Sequence, residues 1–236
     1  MADGNATFRT FVSSFTDFLT VAIHTILYER GIYPATSFLS ARKYNFAVRQ
    51  NRHPKVCEWI NDAVTAVENE LFKGTVDRVA LVIYDKQNTP LERFVFDTSR
   101  FPVVPLDELE VPLERYNADG SKDVILPIVD MEEEFRATMS RLSNCSSGMD
   151  SLPKGCTFTV AVELKQEGQA PVEHPQAWMP AEKQTGQDMK GKGKGKGKGK
   201  QRETTPVRAV SAGDMLFDCW IERVEEDEAA PSQDTS

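Results

Sequence analysis

Residues 165 to 202 constrain the fold more than any other stretch of this 236-residue chain. They separate a strand-like segment, Cys156 to Leu164, from two later ones, Pro206 to Val210 and Met215 to Val224, and they carry no hydrophobic periodicity. Inside them lies Lys190 to Lys200, a strict alternation of six lysines with five glycines. Glycine disfavours any fixed backbone and the lysines repel one another, so a solvated, mobile string is expected there. Any sheet must therefore be completed by strands that rejoin it after a long irregular detour. Detours of this length inside compact domains are uncommon and often functional.

The rest of the pattern is ordered. Phe8, Phe11, Val12, Phe15, Leu19, Ala22, Ile23, Ile26 and Leu27 recur at three- and four-residue spacing, and Phe18 broadens the stripe. This predicts a long buried helix capped by Asn5 or Thr7, ended by Gly31 and kept from resuming by Pro34. A second helix opens at His53-Pro54, with Val56, Ile60, Ala63, Val64, Val67 and Leu71 inward, and Gly74 closes it. Val79 to Asp85 and Leu91 to Asp97 read as a β-hairpin around Lys86 to Thr89, Arg93 and Val95 facing away from Phe94 and Phe96. Residues 99 to 127, with four prolines and many charges, read as a surface excursion with little regular structure.

A third helix is expected over Ile128 to Leu142, with Met131, Phe135, Met139 and Leu142 buried. Along Cys156 to Leu164, Phe158, Val160 and Val162 face opposite to Thr157, Thr159 and Ala161. Ser211 to Asp214 form a turn, and 225–236 read as an acidic disordered tail. The sum is α+β, three helices with a mostly antiparallel sheet.

Composition narrows function. A net charge of −8 opposes direct DNA contact, so a nucleic-acid role is expected to run through a partner. No apolar run approaches a membrane span and no basic-then-apolar leader is visible. Four scattered cysteines without a Cys-x-x-Cys pair read as reduced thiols in an intracellular protein. No phosphate-cradling glycine loop, nucleophile elbow or other catalytic signature occurs. His53 and Cys57 share a helix face but lack two further ligands, so no metal is expected. His24 reads as a packed core histidine, His174 is isolated, and Glu132 to Glu134 form a solvated first helical turn. No enzyme and no cofactor are predicted.

Several short pieces, taken in order and spacing, carry a resemblance. They are Ile23-His24-Thr25-Ile26-Leu27-Tyr28, Tyr33-Pro34, Lys43-Tyr44-Asn45, His53-Pro54, Val82-Ile83-Tyr84-Asp85-Lys86, Phe94-Val95-Phe96 and Gly155-Cys156-Thr157-Phe158-Thr159-Val160. Together they resemble the HORMA-domain family, and within it the accessory subunits of DNA polymerase zeta. The resemblance implies a HORMA domain over residues 1–224 and a safety belt over 165–210 that contains the Lys-Gly insertion. In such a clamp a proline-containing peptide adds to an open strand edge beneath the belt.

It further implies partner-peptide contacts by Trp59, Trp178, Tyr44 and Phe158, dimerisation through Arg136, and a second-partner surface at Phe217 and Trp220. The implied partners are the polymerase zeta catalytic subunit, the translesion deoxycytidyl transferase scaffold, a second HORMA domain and an AAA-type ATPase remodeller, all in the nucleus. The alternative is a mitotic checkpoint protein that clamps anaphase-promoting-complex regulators. Simpler readings stand beside these. Trp178 reads equally as a cover for a surface groove between two prolines, Trp59 sits at core spacing, and the Lys-Gly string serves either as inert linker or as a DNA-phosphate contact.

Overall fold

The computed structural model describes residues 6–116, 119, 122–124, 128–165, 202–213 and 215–224. Helix α1 spans Phe8–Glu29. Thr7 caps it, its side chain accepting from the Thr10 N–H, and the Arg30 N–H closes its last turn on the Ile26 carbonyl. Gly31 then takes a φ of 63°, a left-handed conformation that glycine adopts without strain. α1 is long and apolar enough to cross a membrane, contrary to the sequence reading, but 67% of its most apolar window is buried inside this fold. Its hydrophobicity serves the core.

Strands β1 (Phe38–Lys43) and β2 (Phe46–Asn51) form a separate antiparallel hairpin that the sequence reading missed. Helix α2 covers Pro54–Phe72, with proline in its first turn and Ile60, Val64, Val67 and Leu71 buried as expected. Strands β3 (Val76–Tyr84) and β4 (Pro90–Asp97) make the anticipated hairpin.

The excursion after β4 is more structured than its prolines suggested. It contains a short antiparallel pair, β5 (Glu114–Tyr116) and β6 (Lys122–Val124). It is also fastened to the start of α1: the Leu109 carbonyl accepts the Arg9 N–H at 3.0 Å, and Leu113 N–H donates to the Ala6 carbonyl at 2.8 Å. Early helical N–H groups lack partners within the helix, and the loop supplies one here. Phe101 and Leu109 anchor it in the core.

Helix α3 runs Ile128–Leu142, followed by strands β7 (Thr157–Leu164), β8 (Arg202–Ala212) and β9 (Met215–Val224). The main sheet has the order β7-β3-β4-β9-β8, each neighbour antiparallel. Its inner face meets the helices through phenylalanines. Phe18 stacks on Phe135 at 4.6 Å, and Phe15, Phe18, Phe101 and Phe135 all surround Phe217. The outer face carries a small apolar floor, Ala80, Val82 and Val95, roofed by charged side chains. Arg93 reaches Glu222 on β9 at 3.0 Å and Glu163 on β7, while Arg78 bonds Asp97 and Glu163.

Candidate functional site

Strands β7 and β8 form the margins of the sheet, and among the described residues no further strand pairs with either outer row of backbone groups. They are not equivalent. β8 carries Pro206, which has no N–H, and its register shifts between Pro206 and Arg208. Proline and bulges are the usual devices that blunt an edge. β7 contains neither proline, lysine nor glycine, and its register with β3 is unbroken from Arg78–Glu163 to Tyr84–Thr157. The β7 edge is therefore the one left competent to accept another strand.

The inner side of that edge is aromatic. Phe158, opposite Ile83 in the register, is half-buried. The Trp59 ring from α2 meets it edge-on at 5.0 Å, and Tyr33 meets it at 6.3 Å and 84°. Burial raises the Tyr33 hydroxyl above its usual pKa. In the sequence Tyr33 stands out only as part of the Tyr33-Pro34 pair. Its signal as a site residue is positional, since the Tyr-Pro turn after α1 delivers the ring beside β7.

Two devices hold the start of β7. Gly155 turns the chain into β7 at a φ of 84°, in the left-handed region that favours glycine. Arg30 donates through Nε and Nη2 to Glu92 at 2.8 and 2.7 Å, and Nη2 also reaches the Asp150 carbonyl at 2.7 Å. Both side chains of this ion pair are almost fully buried. The pair ties the end of α1 and β4 to the loop that feeds β7.

Other expected site residues fall elsewhere. Tyr44 does not join Trp59 and Phe158. It turns the β1–β2 hairpin at a φ of 52°, and its ring packs on Phe135 of α3 at 5.3 Å. Burial, with Asp17 and Glu132 nearby, raises its hydroxyl pKa. Phe217 is not on a surface at all: it is 0% exposed at the centre of the phenylalanine cluster. Strand alternation decides this, because Met215, Phe217, Cys219 and Ile221 face inward together. Trp220 faces outward, half-buried, with the Arg78 guanidinium 5.7 Å from its ring and its indole N–H donating to Glu222. Arg136 lies exposed on α3, 3.6 Å from Glu133. Trp178, the Lys-Gly string, most of the expected belt and the acidic tail lie outside the described residues.

The buried histidine and the more buried cysteines serve the fold. His24 is buried, its Nδ1 accepts the Asn51 N–H at 3.3 Å, and burial lowers its pKa to about 4. The Cys57 thiol donates to the Asn51 carbonyl at 2.9 Å. Burial pushes the Cys145 thiol up to about 12 and the Cys219 thiol higher still, so neither is a nucleophile near neutrality. No group of three or more His, Cys, Asp or Glu ligands occurs among the described residues.

Comparison with known proteins follows the same lines. The sequence profile of the HORMA domain matches residues 12–213. The chain belongs to the HORMA-domain family. It is 34% identical over 215 residues to the fission yeast DNA polymerase zeta processivity subunit (Schizosaccharomyces pombe), spanning 90% of this chain and 92% of that one. It is also 34% identical over 150 residues to the human mitotic spindle assembly checkpoint protein MAD2B, spanning 64% of each. Among solved structures, a chain of the mitotic checkpoint complex superposes with a TM-score of 0.65 at 20% identity, covering 91% of this chain and 99% of that chain. C. elegans HTP-1 bound to a HIM-3 closure motif gives 0.56 at 12% identity, covering 93% and 92%. At these identities the structural likenesses establish a shared HORMA fold.

Proposed function

We propose that this HORMA protein is a non-catalytic adaptor that clamps an extended, proline-containing segment of the polymerase zeta catalytic subunit against β7. The contrast between its two sheet edges carries the reading: β8 is blunted, whereas β7 is unpaired on its outer side among the described residues and flanked by Trp59, Phe158 and Tyr33. An added strand satisfies its main chain on β7, and its inward side chains meet the aromatic rings. The relatives support the choice of partner, one being a polymerase zeta processivity subunit, and HTP-1 was solved with a closure motif bound.

Chain length agrees with a belt. β7 leaves the sheet beside the start of β3, and β8 re-enters beside the end of β9, at the opposite edge. Four strand spacings and a strand length make that diagonal roughly 35 Å. Roughly three dozen intervening residues reach about 120 Å when extended, ample to pass over a bound strand. A partner held this way leaves only when the belt opens locally, so release is slow.

The remaining implied roles belong to this same proposal. Trp178 contacts the peptide from the belt, Arg136 supports pairing with a second HORMA domain, and the outward face at Trp220 docks the deoxycytidyl transferase scaffold. An AAA-type ATPase resets the clamp, and the protein works in the nucleus. A second reading, clamping of anaphase-promoting-complex regulators in the spindle checkpoint, is favoured by the MAD2B relatives and the checkpoint-complex neighbour. Gene deletion separates the two: ultraviolet sensitivity with loss of induced mutation supports the polymerase role, failure to arrest in spindle poison the checkpoint role. For the clamp itself, Trp59→Ala is expected to weaken binding of a proline-containing polymerase peptide by about 2 kcal/mol. Unchanged affinity in a titration removes Trp59 from the site.

A further inference from the structure

From Arg30 to Cys57 the chain contains no aspartate or glutamate, although its net charge is −8. The same interval holds Arg42, Lys43, Arg49, Arg52 and Lys55 outside the core, and all five are exposed. The fold gathers them on the β1–β2 hairpin and its exit into α2. Pairing of Ser40 with Arg49 and of Arg42 with Ala47 puts both arginines on one face of the ribbon, as diagonal neighbours.

Few of these charges are neutralised. Lys43 at the tip lies 3.1 Å from Asp17 of α1. Among the described residues, Arg42 reaches the neutral Asn45 side chain, and the Arg49 guanidinium lies 4.9 Å from the Tyr28 ring, a contact that leaves its charge in place. Among the described residues, Arg52 and Lys55 have no carboxylate partner. Among the described residues, four cations are thus left without a carboxylate partner on this two-stranded ribbon and its exit.

We infer that the β1–β2 hairpin is a binding surface for the phosphate backbone of duplex DNA. The exposed face favours phosphate over an acidic protein surface. Across both faces of the ribbon the exposed side chains are arginine, lysine, serine, asparagine, glutamine and Ala47, with Leu39 the one large apolar side chain among them. A protein interface needs a desolvated apolar centre, whereas phosphate recognition needs guanidinium, amide and hydroxyl donors without one. Whole-chain charge argues against DNA only on average, because screening confines each charge's influence to about 10 Å at moderate salt. The acidic remainder keeps affinity low, and the hairpin fixes which side of the protein faces the duplex.

The test is fluorescence anisotropy of the full chain with a short random-sequence DNA duplex over a salt series. Four phosphate contacts give a log–log salt slope of about −3 to −4. The variant combining Arg42→Gln, Arg52→Gln and Lys55→Gln spares Arg49, which packs on Tyr28. It should keep the wild-type melting temperature, lose about tenfold or more in low-salt affinity and flatten the slope by roughly 2 to 3. A second variant, with the lysines of 190–200 changed to glutamine, should keep the hairpin-dependent loss. The inference is overturned if wild type does not bind at low salt, or if the hairpin variant binds like wild type. It is equally overturned if polyglutamate displaces DNA at matched charge concentration, which would assign the ribbon to an acidic protein.

Discussion

At the residue scale, Phe217 separates a docking surface from a core. Its ring touches Phe15, Phe18, Phe101 and Phe135, from α1, the β4–β5 loop and α3. Phe217→Ala is therefore expected to destabilise the fold by about 3 to 5 kcal/mol in denaturant titration, where a surface residue would cost a few tenths. The signal was in the sequence: a period of two through Met215 to Val224 already puts Phe217 and Trp220 on opposite faces. His24 makes a pH prediction. Burial lowers its folded pKa to about 4, below the ordinary histidine value of 6.5, so the unfolded chain binds the extra proton between those values. Stability is then unaffected above pH 6.5 and falls as pH drops toward 4, by roughly 3 kcal/mol from this group. His24→Gln should flatten that part of a stability–pH profile, whatever its effect at neutrality. Burial of His24 was legible from its place in the apolar stripe, but its Asn51 partner was not, since it arrives from a hairpin 27 residues away.

Elements were legible where the burial pattern is regular. α3 occupies Ile128–Leu142 as expected, and β7 begins one residue later than read. The β1–β2 hairpin was hidden because its strands are short and mostly exposed: Arg42, Lys43, Arg49 and Gln50 break the alternation that reveals a half-buried strand. Only the two-residue turn at Tyr44 and Asn45, with φ of 52° and 54°, hints at it. The β7 edge was readable as a strand but not as an edge, because neighbour order depends on pairings far apart in sequence. The Arg30–Glu92 pair is the device that joins these elements. Arg30→Met leaves Glu92 buried and unpaired and should cost about 3 to 5 kcal/mol in thermal or chemical unfolding. Arg30→Met with Glu92→Met should recover most of that loss. A double variant as unstable as the single one would show that the pair does more than neutralise itself.

At the scale of the whole molecule, the fold keeps one face of its sheet under helices, leaves the β7 edge unpaired among the described residues, and completes the opposite margin with β8 and β9 from the C-terminal part of the chain. Arg93 spans the outer face between Glu222 and Glu163, linking the returning C-terminal hairpin to the acceptor strand. The long detour was the clearest whole-chain feature in the sequence. Its consequence, an asymmetric sheet with one blunted and one open margin, required the strand order. Amide hydrogen exchange across the sheet, with and without a bound proline-containing polymerase peptide, tests this directly. The account predicts that amides of Thr157–Leu164 gain protection on binding while those of Arg202–Ala212 stay unchanged. New protection along β8, with β7 exchanging as in the free protein, would contradict it.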